Sequence, residues 1–278
     1  MKKLTILITG STDGIGKQTA LDMAVLNWNV IVHGRSEQKV TRVVNDMRKQ
    51  TGQQNISGVW GDMHSLHKVK KMAAQVREQT GKLDVLLNNA GVIMPVYRQS
   101  ADGYEMTFAV NYLAHFYLTY LLFPIIYEKG RIINVTSQVH SQTINLKNLN
   151  DPSLFSSIDA YSDSKMCNVL FTYALDRRIN GNRDITVNCL HPGVVNTKML
   201  IQTWGRIGIP VEEGARNSVY VATSPVAGKI SAAYFRNMKT ERSAPATYDT
   251  ALQDELWKMS MEIVHKAGLE FDEAVFTS

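Results

Sequence analysis

Residues 4–16 read Leu4-Thr5-Ile6-Leu7-Ile8-Thr9-Gly10-Ser11-Thr12-Asp13-Gly14-Ile15-Gly16, a short apolar run that breaks into a loop with glycines at 10, 14 and 16. Five apolar and β-branched residues are too few for a signal-peptide core and suit a buried strand. The glycines let the backbone turn tightly and leave bare amides at the start of the helix that follows, the geometry that receives a pyrophosphate. That helix is expected over residues 15–27, with Ala20, Met23, Ala24 and Leu26 on its apolar side.

The rest of the chain repeats the alternation. Strands are expected at residues 30–33, 56–60, 83–87, 131–135 and 185–190, with a weak last one near 232–235. Helices are expected at about 37–51 and 66–80, in a long segment around Asn111, from Tyr161 onward, and at about 250–266. Continuous apolar strands alternating with helices imply a parallel sheet covered on both faces. The right-handed crossover rule makes it a doubly wound α/β sheet. With no linker, repeat or low-complexity tract, 278 residues form a single domain.

Composition excludes several classes. The chain is 44% hydrophobic and 20% charged, ordinary for a globular protein. Its net charge of +5 is scattered, and the densest knot, Lys68 to Lys71, is a solvated helix face rather than a nucleic-acid patch. A mildly basic balance suits an anionic cofactor. Cys167 and Cys189 make no disulfide framework, and no Cys/His spacing suggests a metal. The longest later apolar stretch, 121–126, holds Pro124 and is too short to span a bilayer, so no integral membrane segment is expected. A reducing cytoplasm is the expected compartment.

Candidate site residues fall where the strands end. After the second strand comes His33-Gly34-Arg35-Ser36, with no acid to bind ribose hydroxyls; Arg35 with Ser36 favours NADP(H) over NAD(H), although the carboxylate of Asp13 opposes a phosphate. Asp62 and Met63 follow the third strand. The fourth ends in Asn88-Asn89-Ala90-Gly91, whose small residues allow close backbone approach. The fifth runs into Thr136-Ser137. Tyr161 and Lys165, four apart on one helix face, follow. The sixth runs into His191-Pro192-Gly193-Val194-Val195-Asn196-Thr197, a sharp turn at the sheet edge where ligands bind in such folds. His140 and His191 are expected to line the pocket or serve structure.

These motifs, in this order and over nearly the whole chain, resemble the short-chain dehydrogenase/reductase family. Secondary features point to its retinol dehydrogenase-like branch: Asn148-Leu149-Asn150, Leu170-Phe171, Glu213-Gly214-Ala215-Arg216 and Leu256-Trp257. The resemblance implies a single-domain Rossmann fold and hydride exchange between NADP(H) and an alcohol or carbonyl substrate. It makes Gly10, Thr12, Gly14, Ile15, Gly16, Arg35, Ser36, Asp62, Met63, Asn89, Ala90, Gly91, Pro192, Gly193, Val195 and Thr197 cofactor contacts. Asp62 would accept from the adenine amino group or else cap the next helix. Val195 would meet the carboxamide, and Thr197 the phosphate or carboxamide. Tyr161 would be the general acid/base and Ser137 would polarise the substrate oxygen. Lys165 would lower the phenol pKa and hold the ribose, and Asn111 would hold a water leading from Lys165 to solvent. The other class of function open to this fold is a non-catalytic nucleotide sensor or scaffold; such a protein has no need of Tyr161 and Lys165.

Ser137 and Tyr161 stand 24 positions apart, roughly twice the spacing of compact family members. The resemblance implies that the insertion precedes the helix that many members of that family use for dimerisation, so a monomer or homodimer is expected in place of the usual tetramer. Residues 198–205 resemble a substrate lid, with Gly205 and Gly208 as hinges. With Met94 and Val139 they suggest an apolar substrate.

Overall fold

The computed structural model describes residues 3–179 and 184–277. The apolar runs form β1 (Thr5–Ile8), β2 (Asn29–Gly34), β3 (Ile56–Trp60), β4 (Leu83–Asn88), β5 (Ile126–Val135), β6 (Thr186–His191) and β7 (Ala233–Arg236). These seven are parallel, and β8 (Lys239–Glu241) closes one edge antiparallel, in the order β3-β2-β1-β4-β5-β6-β7-β8. The order reverses between β1 and β4. Loops leaving those two strands part to opposite sides and open a crevice at the carboxyl edge.

One face of the sheet packs on α1 (Gly14–Val25), α2 (Glu37–Thr51) and α8 (Val211–Thr223), through residues such as Met23, Val40, Met47 and Val221. The other packs on α3 (Leu66–Gln79), α5 (Ala114–Leu122) and α6 (Ser157–Ile179), through Met72, Phe116, Leu118 and Phe171. Burying both faces explains why the strands read as unbroken apolar runs. The final helix α9 (Thr250–Lys266) and the turn Glu273–Phe276 lie on α5 and α6, where Phe271 stacks on Phe116 with centroids 4.9 Å apart and Phe276 meets Phe123 at 4.8 Å.

Three features depart from expectation. The strand β8 is three exposed polar residues, without apolar signal; its hairpin turn is Asn237-Met238, both at positive φ as a type I′ turn requires. The strand β5 starts at Ile126 rather than 131, because Ile126 pairs with Leu83 before the register shifts. The long helix around Asn111 is not uniform: α4 (Met106–Phe108) runs into a π-helical turn (Ala109–Leu113) before α5. Polar residues interrupt its apolar pattern, yet Met106–Ile125 is long and apolar enough to cross a membrane, and 83% of that window lies buried inside the fold.

The insertion after Ser137 is tied down. Its turns, Leu146–Asn148 and Pro152–Leu154, flank Asn150, whose carboxamide accepts from the Glu105 amide at 2.7 Å.

Candidate active site

The phosphate loop is built for contact. Gly10 has φ +65°, and a Cβ there would lie 2.7 Å from the Ala90 Cα; at Gly16 one would lie 2.4 Å from Asn89 Nδ2 and 2.6 Å from the Gly10 carbonyl. The Thr9 hydroxyl accepts from the amides of Asn89 and Ala90 at 2.8 and 2.9 Å, and Asn89 Nδ2 donates to Thr9 O at 2.8 Å. His33 clips the loop from behind: Nδ1 accepts from the Gly10 amide at 3.1 Å and Nε2 donates to Gly61 O at 2.9 Å. Burial pulls its imidazole down to about 4, so it is neutral. Since neither loop can retreat, Gly16→Ala should cost about 1–3 kcal/mol of stability by overpacking, together with most of the cofactor affinity; thermal unfolding with a cofactor titration checks both.

At the far end of the crevice lie Arg35, Ser36, Asp62 and Met63, joined by Lys39 of the first turn of α2. The Ser36 hydroxyl caps α2, accepting from the Lys39 amide at 3.4 Å. Asp62 does not cap α3: it accepts from the His64 amide at 3.3 Å, while Asp102 takes the Leu66 amide at 2.9 Å. Asp13, expected to oppose a phosphate, has partners of its own. It caps α1 through the Gly14 amide at 2.9 Å and pairs with Lys198 Nζ at 2.8 Å. Burial raises its carboxyl pKa, but Lys198 and the Gly14 amide outweigh that and hold it below the usual range.

The catalytic candidates converge where β5 meets α6. Ser137 is buried, and its hydroxyl favours the ionised form of the neighbouring Tyr161 phenol. Lys165 lies 5.6 Å from the Tyr161 ring centre and donates to Val135 O at 2.9 Å. Burial dominates both groups. It pushes the phenol up to about 12, against a downward pull from Ser137, and the Lys165 ammonium down to about 8. Burial therefore outweighs the Ser137 hydroxyl, and the phenol keeps its proton near neutral pH.

Between about pH 8 and the ordinary 10.5 of Lys165, an unfolded chain holds more protons than the folded one. Folding stability therefore rises with pH across that window, and the buried ammonium costs most below it. Lys165→Met should unfold at a higher temperature than the parent near pH 7. The gap should narrow as the pH is raised through the window; a Tm difference independent of pH would show that no buried ammonium is present.

Asn111 is fully buried and does not line the crevice. Its carboxamide accepts from the Val92 amide at 2.7 Å and donates to Val92 O and Ser164 Oγ at 2.9 and 3.0 Å. Its carbonyl receives Asn168 Nδ2 at 3.0 Å and His115 Nδ1 at 2.9 Å. Asn111 braces the Asn-Asn-Ala-Gly turn against α6.

The turn after β6 brings Pro192, Gly193, Val195 and Thr197 to the same crevice. Thr197 caps α7 (Lys198–Trp204), no residue of which is fully buried. Gly205, at φ +82° with no atom crowding its Cβ position, suits a hinge. Gly208 does not: a Cβ there would lie 2.4 Å from Val194 O, and its amide is bound by Asn196 Oδ1 at 2.8 Å.

All the expected cofactor contacts therefore line one crevice of about 1150 Å³, with Ser137, Tyr161 and Lys165. A glycine cradle at a helix N-terminus, two cations at the far end and a phenol with a serine hydroxyl at the near end fit a dinucleotide. Sequence reasoning missed Lys39, Lys198, His33 and the bracing His115. Lys39 alone left a signal, one helical turn beyond Arg35.

A family profile described as short chain dehydrogenase matches residues 4–206. Retinol dehydrogenase 14 of Homo sapiens is 33% identical, over 94% of this chain and 86% of that protein. Polyprenol dehydrogenase of Homo sapiens is also 33% identical, over 92% and 84%. The crystal structure of an uncharacterised protein from Mycobacterium paratuberculosis superposes with a TM-score of 0.80 at 28% identity, covering 97% of this chain and 95% of that one.

Proposed function

The chain belongs to the short-chain dehydrogenase family, and on that premise we propose that it reduces long apolar carbonyl compounds with NADPH, Tyr161 being the proton donor. Family and relatives make it an NAD(P)-dependent oxidoreductase of alcohol and carbonyl groups; cofactor preference, acid and substrate are our reading. The observation that carries it is the convergence of Ser137, Tyr161 and Lys165 on the crevice lined by the glycine loop, with Lys165 Nζ 5.6 Å from the Tyr161 ring centre.

The crevice residues would hold a dihydronicotinamide cofactor, whose chemistry when bound would be that of a hydride donor to the carbonyl carbon. The Ser137 hydroxyl holds and polarises the carbonyl oxygen, and the Tyr161 phenol gives that oxygen its proton as charge develops. Lys165, 4% exposed, returns a proton to the phenolate, and its own ammonium, destabilised by burial, releases it readily. Oxidation of the alcohol runs the same transfers backward.

NADP(H) is supported by Arg35 and Lys39 at the far end of the crevice and by the pairing of Asp13 with Lys198. An apolar substrate is supported by Met94, Val139, Ile158, Leu200, Trp204 and Ile207 along the same crevice, and by the names of the two human relatives, a retinol and a polyprenol dehydrogenase. With α9 lying on α5 and α6, a monomer or homodimer is the assembly we propose.

The test is a carbonyl panel followed at the NADPH absorbance band, with retinal, a polyprenal and short hydrophilic aldehydes. Long apolar aldehydes should give the highest kcat/KM. Preference for the hydrophilic ones would overturn the substrate class, and no turnover across the panel would overturn the reading.

A further inference from the structure

We propose that His140 is a positioning residue for this reaction, a strut that holds the Ser137 backbone to the C-terminal segment at Ala244. The inference rests on the assignment of Ser137 and Tyr161 above. His140 is buried, and both ring nitrogens are used: Nδ1 lies 2.6 Å from Ser137 O, and Nε2 lies 3.0 Å from the Ala244 amide nitrogen. A carbonyl can only accept and an amide N–H can only donate. The ring must therefore be neutral with its proton on Nδ1. The other tautomer fails at both ends, and the imidazolium fails at Ala244.

The far end of the strut is itself fixed. Ala244 O accepts from the Thr247 amide at 2.9 Å. Beside it, Ser243 Oγ meets Thr247 Oγ1 at 2.7 Å and the Tyr173 hydroxyl at 2.8 Å. Tyr173 is on α6, the helix that carries Tyr161. The polar contacts thus run from Ser137 through His140 to residues 243–244 and on to Tyr173, which shares α6 with Tyr161. Ser137 Oγ also accepts from the Val139 amide at 3.3 Å, so the turn that the imidazole anchors is the one that aims the hydroxyl. The ring makes no contact with the reacting atoms in this arrangement; its effect passes through Ser137.

The test compares three variants with the parent, each checked for folding by Tm. His140→Ala should lower kcat for carbonyl reduction by about 10- to 100-fold through misaim of Ser137, with NADPH affinity unchanged. In His140→Asn the amide can donate to Ser137 O from the place of Nδ1, and most of kcat should return. In His140→Gln the longer side chain reaches Ala244 but not Ser137, and kcat should stay low. Parent-like kcat in His140→Ala, or equal losses in the Asn and Gln variants, would reduce the ring to a packing element. Independently of turnover, ¹⁵N NMR of the imidazole should show the Nδ1–H tautomer, and an Nε2–H ring would overturn the strut. A parent protein inert towards every carbonyl would instead remove the role of Ser137, while the tautomer would still decide the contact.

Discussion

Tyr161→Phe should lower carbonyl reduction by about 10²–10⁴-fold, the range for losing a positioned acid, and leave NADPH binding as in the parent. The ring itself stays in place, since Phe keeps its volume and the helix that carries it packs against the sheet through residues on either side. What goes is the one O–H that Ser137 and Lys165 surround. Steady-state rates with a cofactor titration separate the two quantities. Parent-like turnover in the Phe variant would transfer the acid role to another group, and an equal loss of cofactor affinity would mean that the phenol serves binding alone.

Arg35→Ala should weaken NADPH by about 10- to 100-fold, from the loss of a charge-assisted phosphate contact of about 1.5–3 kcal/mol, and leave NADH nearly untouched. Lys39→Ala should act in the same direction with a smaller effect, because an ammonium meets phosphate as a point charge rather than as a two-pronged fork. Lys198→Ala frees the Asp13 carboxylate that Lys198 pairs at 2.8 Å, and it too should disfavour NADPH relative to NADH. Kd values for both cofactors decide the matter. Equal losses for NADPH and NADH in Arg35→Ala would remove the preference for the phosphorylated form.

The legible parts of this chain are those whose physics is local. Gly10 and Gly16 must be glycine because neighbouring backbone crowds their Cβ positions, and Gly14 because its φ is +54°, while Tyr161 and Lys165 share a helix face by spacing alone. The doubly wound parallel sheet follows from apolar runs and crossover handedness. The hidden parts depend on partners far apart in the chain. His140 meets Ala244 across 104 positions, and Asp102 caps a helix 36 positions before it. Neither leaves a trace in any window of sequence. The Asp13 carboxylate reads as hostile to phosphate until Lys198 is seen against it. Gly208 looks like a hinge until Asn196 is found bound to it at both amide and carbonyl. Tyr161 is the instructive case. Motif chemistry predicts a phenol softened by Lys165, whereas burial raises it to about 12, because desolvation acts on both groups at once.

The central claim is that this crevice passes a hydride from the cofactor to a carbonyl carbon while Tyr161 protonates the oxygen. NADPH deuterated on the transferable C4 position, incubated with the protein and an apolar aldehyde, tests it by mass spectrometry of the product. One deuterium on the carbinol carbon in the parent reaction, with product formation collapsing in Tyr161→Phe, is the result expected. An alcohol formed without deuterium, whichever C4 face carries the label, or undiminished product from the Phe variant, would contradict it.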